Sequence, residues 1–344
     1  MAGLRNSRTG SQARFFGSQI LDDATCRTQQ LPTRPVQVGP TAVDLVTDVD
    51  DQLAELIAGA FVSRSTPVST TPLRLVVSQW DRGLRYPEFD WASEWIIQGR
   101  PVATEHTGRR RIFIDRNHGA VYVYDSDNGA GAIILRRNRH LDLRSFITPF
   151  RIFWNWIAQS SGGVIVHAGC VDVNGKGVLF GGPSGSGKSS LSLELSRRGN
   201  TLVADDCVWV EGGMAYPVFA RAKLSAYSMQ EFTPEYLWNT THFLGVDRAK
   251  GFLSIDPRGI PARPLPVSFL VFPRVDRASA VFPVSRQRST QLLVDDSLRE
   301  LAGGTARDRL ALTQLAALTP AYRLLMGPNQ AANVDLVQRI GACG

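Results

Sequence analysis

The chain has 344 residues, of which 43% are hydrophobic and 20% charged. This composition is that of a globular protein, and the length favours two moderate cores over one. No apolar run reaches the roughly 18 residues of a membrane helix, and the N-terminal segment lacks the apolar stretch of a secretory signal. We therefore expect no membrane span and a cytoplasmic location. The four cysteines lie far apart without zinc-ligand spacing, which predicts free thiols.

The net charge of +7 and the pI near 9.5 would suit a nucleic-acid-binding protein. However, the arginines are scattered, and no aromatic-basic repeat of a known nucleic-acid module occurs. The densest run, Arg109 to Arg111, is interpreted as a solvated loop before a strand. We therefore do not expect nucleic acid as a partner. A basic protein also suits a polyphosphate ligand or an acidic acceptor.

The N-terminal part of the chain divides into two regions by composition. Residues 1–35 are rich in Ser, Arg, Gln and Thr, which predicts a flexible tail. Residues 36–145 contain short β-like runs separated by turn residues, which predicts a smaller accessory α+β region. The strands predicted there are Leu73 to Ser78, Arg111 to Asp115, Ala120 to Tyr124 and Ala132 to Leu135.

The region from residue 146 to 344 contains a predicted hairpin directly before the glycine-rich segment. Val164 to Val173 is strand-like, Asn174-Gly175 is the strongest short hairpin signal, and Gly177 to Phe180 returns as a buried strand. The second strand leads directly into a glycine-rich segment. A loop at this place in the chain is held at the end of a buried strand.

Beyond the glycine-rich segment the pattern changes to a helix and then to a strand. Ser190 to Arg198 has helical spacing and ends at Gly199, a residue suited to the C′ position. Thr201 to Ala204 then resumes a strand. This strand delivers two neighbouring carboxylates, Asp205 and Asp206, at its carboxyl end.

The glycine-rich segment matches the complete pattern G-x-x-x-x-G-K-[ST] and stands between a predicted strand and a predicted helix, as its mechanism requires. The glycines permit conformations in which successive N–H groups turn inward, and the following helix adds its positive end, so the backbone can solvate a polyphosphate. Its lysine should reach the β and γ oxygens, and its last hydroxyl suits Mg²⁺. The residues expected to bind nucleotide are Gly182, Pro183, Ser184, Gly185, Ser186, Gly187, Lys188, Ser189 and Ser190.

The flanks of this loop carry a family resemblance. His167 lies in the strand before the hairpin, the hairpin enters the loop, and the triplet Ala204-Asp205-Asp206 follows Lys188 by about 17 residues. With these features the stretch from roughly Phe146 to Glu211 resembles the catalytic domain of the HPr kinase/phosphorylase family and its HPr-kinase-like relatives. The resemblance implies an α/β fold for residues 146–344: a P-loop kinase core of the HPr kinase / PEP carboxykinase type, a mixed β-sheet with flanking helices.

The resemblance also implies roles for the site residues. His167 and Asp205 would form a hydrogen-bonded pair for proton transfer at the acceptor hydroxyl, with Lys188 in the catalytic set. Asp206 would organise the metal and phosphate region, so that Ser189 and Asp206 are the expected Mg²⁺ ligands. From the residues alone, the alternative for the two aspartates is a Walker B-like metal site with no base role, and the alternative for His167 is a core histidine.

The resemblance implies a kinase that uses ATP and Mg²⁺ and transfers the γ-phosphate to a serine-type hydroxyl of a peptide, protein or small molecule. Val218 to Ser225 does not reproduce the signature loop of the bifunctional enzymes, so we expect an acceptor other than HPr. The family also forms hexamers, and a homo-oligomer is an expectation on that ground alone. Two alternatives stay open: a nucleotide-binding regulatory protein without phosphotransfer, and a bifunctional HPr kinase/phosphorylase. Lys223 is either a phosphate contact or a solvated lysine.

Overall fold

The structure, a computed structural model, divides into two units. Unit 1 comprises Met1–Gly59 and Ser63–Asp142, and unit 2 comprises Ala60–Val62 and Leu143–Gly344. None of the described helices has the length and apolar character that crossing a membrane requires. The residues that the structure describes are 17–64, 71–80, 94–97, 100–107, 110–115, 120–136, 147–225, 250–255, 264–300 and 304–342.

Unit 1 is built on a nine-stranded sheet with the order β3-β1-β2-β4-β9-β8-β7-β6-β5. The four strands predicted from alternation in this region are all present, each extended by one or more residues. The predicted Asn117-His118-Gly119 turn lies outside the described residues. The strands are β1 Thr33–Val38, β2 Thr41–Asp48, β3 Val62–Ser63, β4 Leu73–Trp80, β5 Glu94–Ile97, β6 Arg100–Thr107, β7 Arg110–Asp115, β8 Ala120–Asp125 and β9 Ala130–Arg136.

Two helices lie in the described residues of unit 1, and one of them corrects a prediction. Residues 17–27 form α1, and Ile20, Leu21 and Ala24 are buried in the core of the sheet. The flexible tail expected over residues 1–35 therefore does not extend through this helix or the strand after it, because the apolar spacing at positions 20, 21 and 24 is enough to anchor one helical face. The second helix, α2, is Asp51–Ala58.

Unit 2 contains a mixed sheet with the path β10-β14-β15-β18-β12-β11-β13, to which β20 and β19 are added beside β18. Strand β18 runs parallel to both β12 and β20, and the other pairs are antiparallel. A separate two-stranded sheet joins β16 to β17. The strands are β10 Val164–Val166, β11 Ala168–Val173, β12 Lys176–Gly181, β13 Thr201–Ala204, β14 Val208–Glu211, β15 Met214–Pro217, β16 Arg221–Ser225, β17 Lys250–Ser254, β18 Leu265–Val275, β19 Ala280–Pro283 and β20 Ala321–Met326.

Helices cover both faces of this sheet, so unit 2 is a mixed α/β structure. The described helices are α3 Arg151–Ser161, α4 Lys188–Arg197, α5 Arg286–Glu300, α6 Ala306–Leu318 and α7 Gln330–Ala342. The side chains of β12 alternate between two cores: Val178 and Phe180 face the core that contains α4 and α7, and Leu179 faces the core that contains α5 and α6.

The turns around the glycine-rich segment follow the sequence prediction. Asn174 and Gly175, between β11 and β12, have φ angles of 57° and 80°, as a two-residue hairpin with this pair requires. Gly199, after α4, has a φ of 89°, the left-handed conformation predicted for the end of that helix. Three of the four cysteines lie in the described ranges (Cys26, Cys170 and Cys207), and they are free thiols.

Candidate active site

Two strand junctions lie side by side and bring the candidate residues together. His167 occupies the single position between β10 and β11, and Asp205 to Cys207 connect β13 to β14. Strand β11 pairs with β13 up to Cys170 and Ala204, while β10 pairs with β14 through Val166 and Val208. The histidine and the two aspartates therefore meet because the segment β10–β11 and the segment β13–β14 both change partner strand at the same place.

His167 is buried and held at three points. Its Nδ1 lies 2.8 Å from Oδ2 of Asp296, and its Nε2 lies 3.1 Å from Oδ1 of Asp206. Its backbone N–H donates to the hydroxyl of Ser297 at 3.2 Å. Burial lowers the pKa of His167, but the bonds to Asp206 and Asp296 more than offset this, and the pKa lies above its usual value. Since an ionised carboxylate only accepts hydrogen bonds, a ring nitrogen of His167 that bonds an ionised carboxylate must carry the hydrogen.

Asp205 has different partners from those that the sequence predicted. Its carboxylate accepts hydrogen bonds from the hydroxyl of Ser189, at 2.9 and 3.0 Å, and from the backbone N–H of Lys223 at 2.8 Å. The expected pair of His167 with Asp205 is thus not the one in the structure; the pair is His167 with Asp206. Asp206 has a left-handed φ of 68°, which turns its side chain away from the direction taken by its neighbour.

The structure also places a different carboxylate beside the expected metal ligand Ser189. Ser189 and Asp206 were the expected ligands, but the carboxylate beside the Ser189 hydroxyl is that of Asp205. Among the described residues there is no cluster of three or more His, Cys, Asp or Glu side chains that could hold a metal ion by itself. A hydroxyl with one carboxylate is nevertheless a donor set suited to Mg²⁺, which keeps several waters and takes its other oxygens from phosphates.

The two aspartates differ in their electrostatic surroundings. Burial raises the pKa of Asp205, the charge of Asp206 adds to the shift, and the pKa reaches about 6. Burial acts on Asp206 in the same direction, but the bond and charge of His167, followed by the charges of Lys223 and Arg151, lower the pKa of Asp206 well below its usual range. Asp206 is therefore ionised at neutral pH, with cationic groups on several sides.

The glycine-rich loop has the backbone that its sequence predicts. Gly182, Gly185 and Gly187 have φ angles of 129°, 85° and 98°, a region that other residues rarely adopt. Helix α4 begins directly after Gly187, so its N-terminus points into the loop. At position 187, a Cβ would in addition lie 2.0 Å from the Cε of Met326, so the flexible end of that side chain would have to move.

Two side chains of the loop are disposed to receive an anion. The Nζ of Lys188 donates to the carbonyl oxygens of Gly182 and, at 3.3 Å, of Pro183, which are groups of the loop itself. The hydroxyl of Ser186 is buried and has no hydrogen-bond partner in the part of the chain that the structure describes. A buried hydroxyl without a partner costs free energy unless a ligand satisfies it. These residues fit a polyphosphate.

A pocket opens where the loop and the histidine–aspartate pair meet. It is lined by the loop residue Ser184, by His167 and Asp206, and by three further charged residues, Arg151, Lys223 and Glu300. Arg151 reaches Asp206 at 3.8 Å and Glu300 at 3.9 Å. Lys223 reaches Asp206 at 3.9 Å, so it faces the site and is not only a solvated lysine. Asp205 does not line this pocket.

Sequence reasoning missed Arg151, Asp296 and Glu300. Arg151 begins α3, and the other two lie four residues apart near the end of α5. The signal for Asp296 is a carboxylate on the apolar side of a helix, since it follows the buried Leu293 and Val294. That pattern marks a buried acid, but it does not say which basic group it meets.

Comparison with known proteins supports the resemblance. Residues 159–232 match the family of the HPr Serine kinase C-terminal domain. Among curated proteins, the HPr kinase/phosphorylase of Thermoanaerobacter sp. (strain X514) is 39% identical over 92 residues, which is 27% of this chain and 25% of the relative. That of Geobacillus thermodenitrificans (strain NG80-2) is 63% identical over 43 residues, or 12% of this chain and 14% of the relative.

These matches confirm the resemblance to the HPr kinase-like family and also limit it. The chain spans about a quarter or less of the length of these curated relatives. The matched family segment includes His167, the glycine-rich loop and both aspartates. Arg151, Asp296 and Glu300 lie outside it.

Proposed function

We propose that this chain is a kinase that uses Mg²⁺ and ATP and transfers the γ-phosphate to a serine-type hydroxyl. The observation that supports the proposal is the shared pocket: Ser184, from a loop suited to polyphosphate, lines it together with an ionised aspartate bonded to a histidine. The partial matches to HPr kinase/phosphorylases, and the match of residues 159–232 to the HPr Serine kinase C-terminal domain, support a serine hydroxyl as the acceptor. The proposed core is of the HPr kinase / PEP carboxykinase type.

The nucleotide side of the site would be formed by the loop. Lys188 would exchange its bonds to the loop carbonyls for bonds to phosphate oxygens, and the Ser186 hydroxyl would gain the partner that it lacks. Ser189 and Asp205 would hold Mg²⁺, since they already share a hydrogen bond. When bound, Mg-ATP supplies the phosphoryl group and neutralises the charge that develops on it.

The acceptor side would be formed by Asp206 and His167. Asp206 is ionised and faces the pocket, so it can accept the hydrogen bond of an incoming hydroxyl and take its proton as the oxygen attacks. His167 donates to the other side of this carboxylate and fixes its orientation. We therefore propose Asp206 for the base role, in place of Asp205, to which the family resemblance assigns it.

Because phosphoryl transfer depends mainly on position and charge, a base of low pKa is sufficient when it is well placed. Lys223 and Arg151 would contribute positive charge near the transferred group. The same two cations make the pocket suitable for an acceptor that carries a carboxylate near its hydroxyl. We therefore propose a serine on a peptide or a small amino-acid-like molecule as the acceptor, in preference to HPr.

The remaining parts of the proposal concern the whole protein. Residues 146–344 would form the catalytic domain, and the region before it would recognise the acceptor. The protein would act in the cytoplasm and without nucleic acid, and a homo-oligomer is proposed by analogy with the family alone.

The rival function is a regulatory protein that binds nucleotide without transferring phosphate. The test is incubation of the full chain with Mg²⁺ and γ-labelled ATP in the presence of free serine, serine-containing peptides or HPr, followed by mass spectrometry for the gain of one phosphoryl group. Transfer to a serine hydroxyl supports the kinase. Nucleotide binding without transfer to any acceptor favours the regulatory protein.

A further inference from the structure

The last turn of helix α5 reaches the candidate base, Asp206, by two routes. Asp296 bonds His167, which bonds Asp206. Glu300, one turn further along, pairs with Arg151, which pairs with Asp206. The helix supplies both carboxylates from a part of the chain that lies outside the matched family segment.

Of the two routes, the one through Asp296 has the tighter geometry. The Asp296 carboxylate is 4% exposed and lies 2.8 Å from the ring of His167, while Glu300 is 3.9 Å from Arg151 and 21% exposed. The other oxygen of Asp296 accepts a hydrogen bond of 2.6 Å from Arg299. Ser297 bonds the backbone of His167, so the helix holds the histidine at both main chain and side chain.

We infer that Asp296 is a positioning residue for the proposed phosphotransfer: by fixing the ring of His167, it keeps Nε2 against Asp206 and thereby holds that carboxylate towards the pocket. The inference rests on the proposed function. With Asp206 as its only side-chain partner, the imidazole could still turn about the Cα–Cβ and Cβ–Cγ bonds. A second hydrogen bond, from Nδ1 to the carboxylate of Asp296, removes that freedom.

A purely structural role for Asp296 is the alternative. Burying an ionised carboxylate is costly unless it is paired. Asp296 bonds both His167 and Arg299, so these bonds could serve only to stabilise the buried acid. The two roles differ in what they affect. A structural acid contributes to folding stability alone, whereas a positioning acid also affects the rate of the transfer step in a protein that is folded and binds ATP.

The test compares Asp296→Asn with Asp295→Asn, a matched control in the same helix whose side chain is exposed. Full-length variants are checked by thermal melting, and kcat and KM for ATP are measured with the acceptor that the wild-type protein phosphorylates. We expect Asp296→Asn to lower kcat by about 10-fold or more, the scale for losing a carboxylate that orients a functional histidine, with KM for ATP within about two-fold. Asp295→Asn should behave as wild type.

A second readout does not depend on transfer. The ¹⁵N resonances of the His167 ring, assigned by comparison with His167→Gln, should shift in Asp296→Asn and stay in place in Asp295→Asn. Asp296→Glu keeps the charge, and it should recover part of the lost kcat; this variant decides the matter if Asp296→Asn does not fold. Unchanged ring resonances, or an unchanged kcat in a folded variant, would overturn the inference. If the wild-type protein transferred no phosphate but the ring resonances still shifted in Asp296→Asn, the proposed function would be wrong, and only the contact between Asp296 and His167 would be supported.

Discussion

Nε2 of His167 lies 3.1 Å from a carboxylate oxygen of Asp206, the second of two adjacent aspartates. The first, Asp205, bonds the hydroxyl of Ser189 instead. This division assigns Asp205 to the proposed nucleotide and metal site beside Ser189, and Asp206 to the acceptor side, where it lines the pocket.

Replacing the loop lysine should remove nucleotide binding. Lys188→Ala deletes the cation that we propose meets the β and γ phosphates, so the thermal stabilisation by Mg-ATP should disappear. The matched control is Lys176→Ala, at the opposite end of the strand that leads into the loop. A full thermal shift in Lys188→Ala would count against the nucleotide site.

The pair of Ser189 and Asp205 should determine the response to Mg²⁺. Ser189→Ala removes one proposed ligand and leaves the backbone of the loop intact, so nucleotide binding without metal should persist while its enhancement by Mg²⁺ weakens. Asp205→Asn should show the same pattern. The measurement is ATP affinity by calorimetry with Mg²⁺ and with a chelator, and an equal loss under both conditions would contradict the assignment.

The second aspartate should control transfer and not binding. Asp206→Asn is expected to bind Mg-ATP but to transfer phosphate about 10²-fold more slowly, the usual scale for loss of a general base. His167→Ala should give a smaller decrease in the same step, because it orients the base and does not itself take the proton. Single-turnover rates separate this step from binding. If Asp205→Asn lost transfer with full metal binding while Asp206→Asn stayed active, the base would be Asp205, as the sequence first suggested.

Much of unit 2 could be predicted from the sequence because its signals are local. The Asn174-Gly175 hairpin, the glycine-rich loop and the helix after it each depend on residues that are neighbours in the chain. The partner of His167 could not be predicted in this way. Which of two adjacent carboxylates meets it depends on a left-handed φ at Asp206, and the contact with Asp296 spans 129 residues. Helix α1 was missed for another reason: the polar composition of residues 1–35 conceals the three apolar residues that anchor the helix.

Unit 1 offers a prediction about stability that does not depend on function. The Asp125 carboxylate accepts hydrogen bonds from Arg110 Nε at 3.1 Å and from the backbone of the turn that follows it. Burial raises the pKa of Asp125, but the bonds from Arg110 and the turn lower it overall. Asp125→Asn should reduce the free energy of unfolding at pH 7 by about 1–3 kcal/mol, the scale for a bond to a charged group.

The pH dependence of this loss has a definite sign. The pKa of Asp125 is lower in the folded protein than in the unfolded chain, where it is about 3.9. The ionised carboxylate therefore contributes fully to folding stability above that value, and the contribution is lost as the pH falls through the folded pKa. The difference in the free energy of unfolding between wild type and Asp125→Asn should therefore be constant from pH 7 to 5 and become smaller below about pH 4. Urea unfolding at several pH values measures it, with Asp23→Asn on the exposed side of α1 as the control. A difference that grows in acid would contradict the ion pair.

We propose that the protein transfers phosphate to a serine hydroxyl at this pocket. The most direct measurement is mass spectrometry of free serine, serine peptides and HPr after incubation with the wild-type protein, Lys188→Ala and Asp206→Asn, each with Mg-ATP. Our account predicts one added phosphoryl group on a serine acceptor with the wild-type protein, about 10²-fold less with Asp206→Asn, and none with Lys188→Ala. ATP bound by the wild-type protein with no phosphoryl group on any of these acceptors would contradict the account.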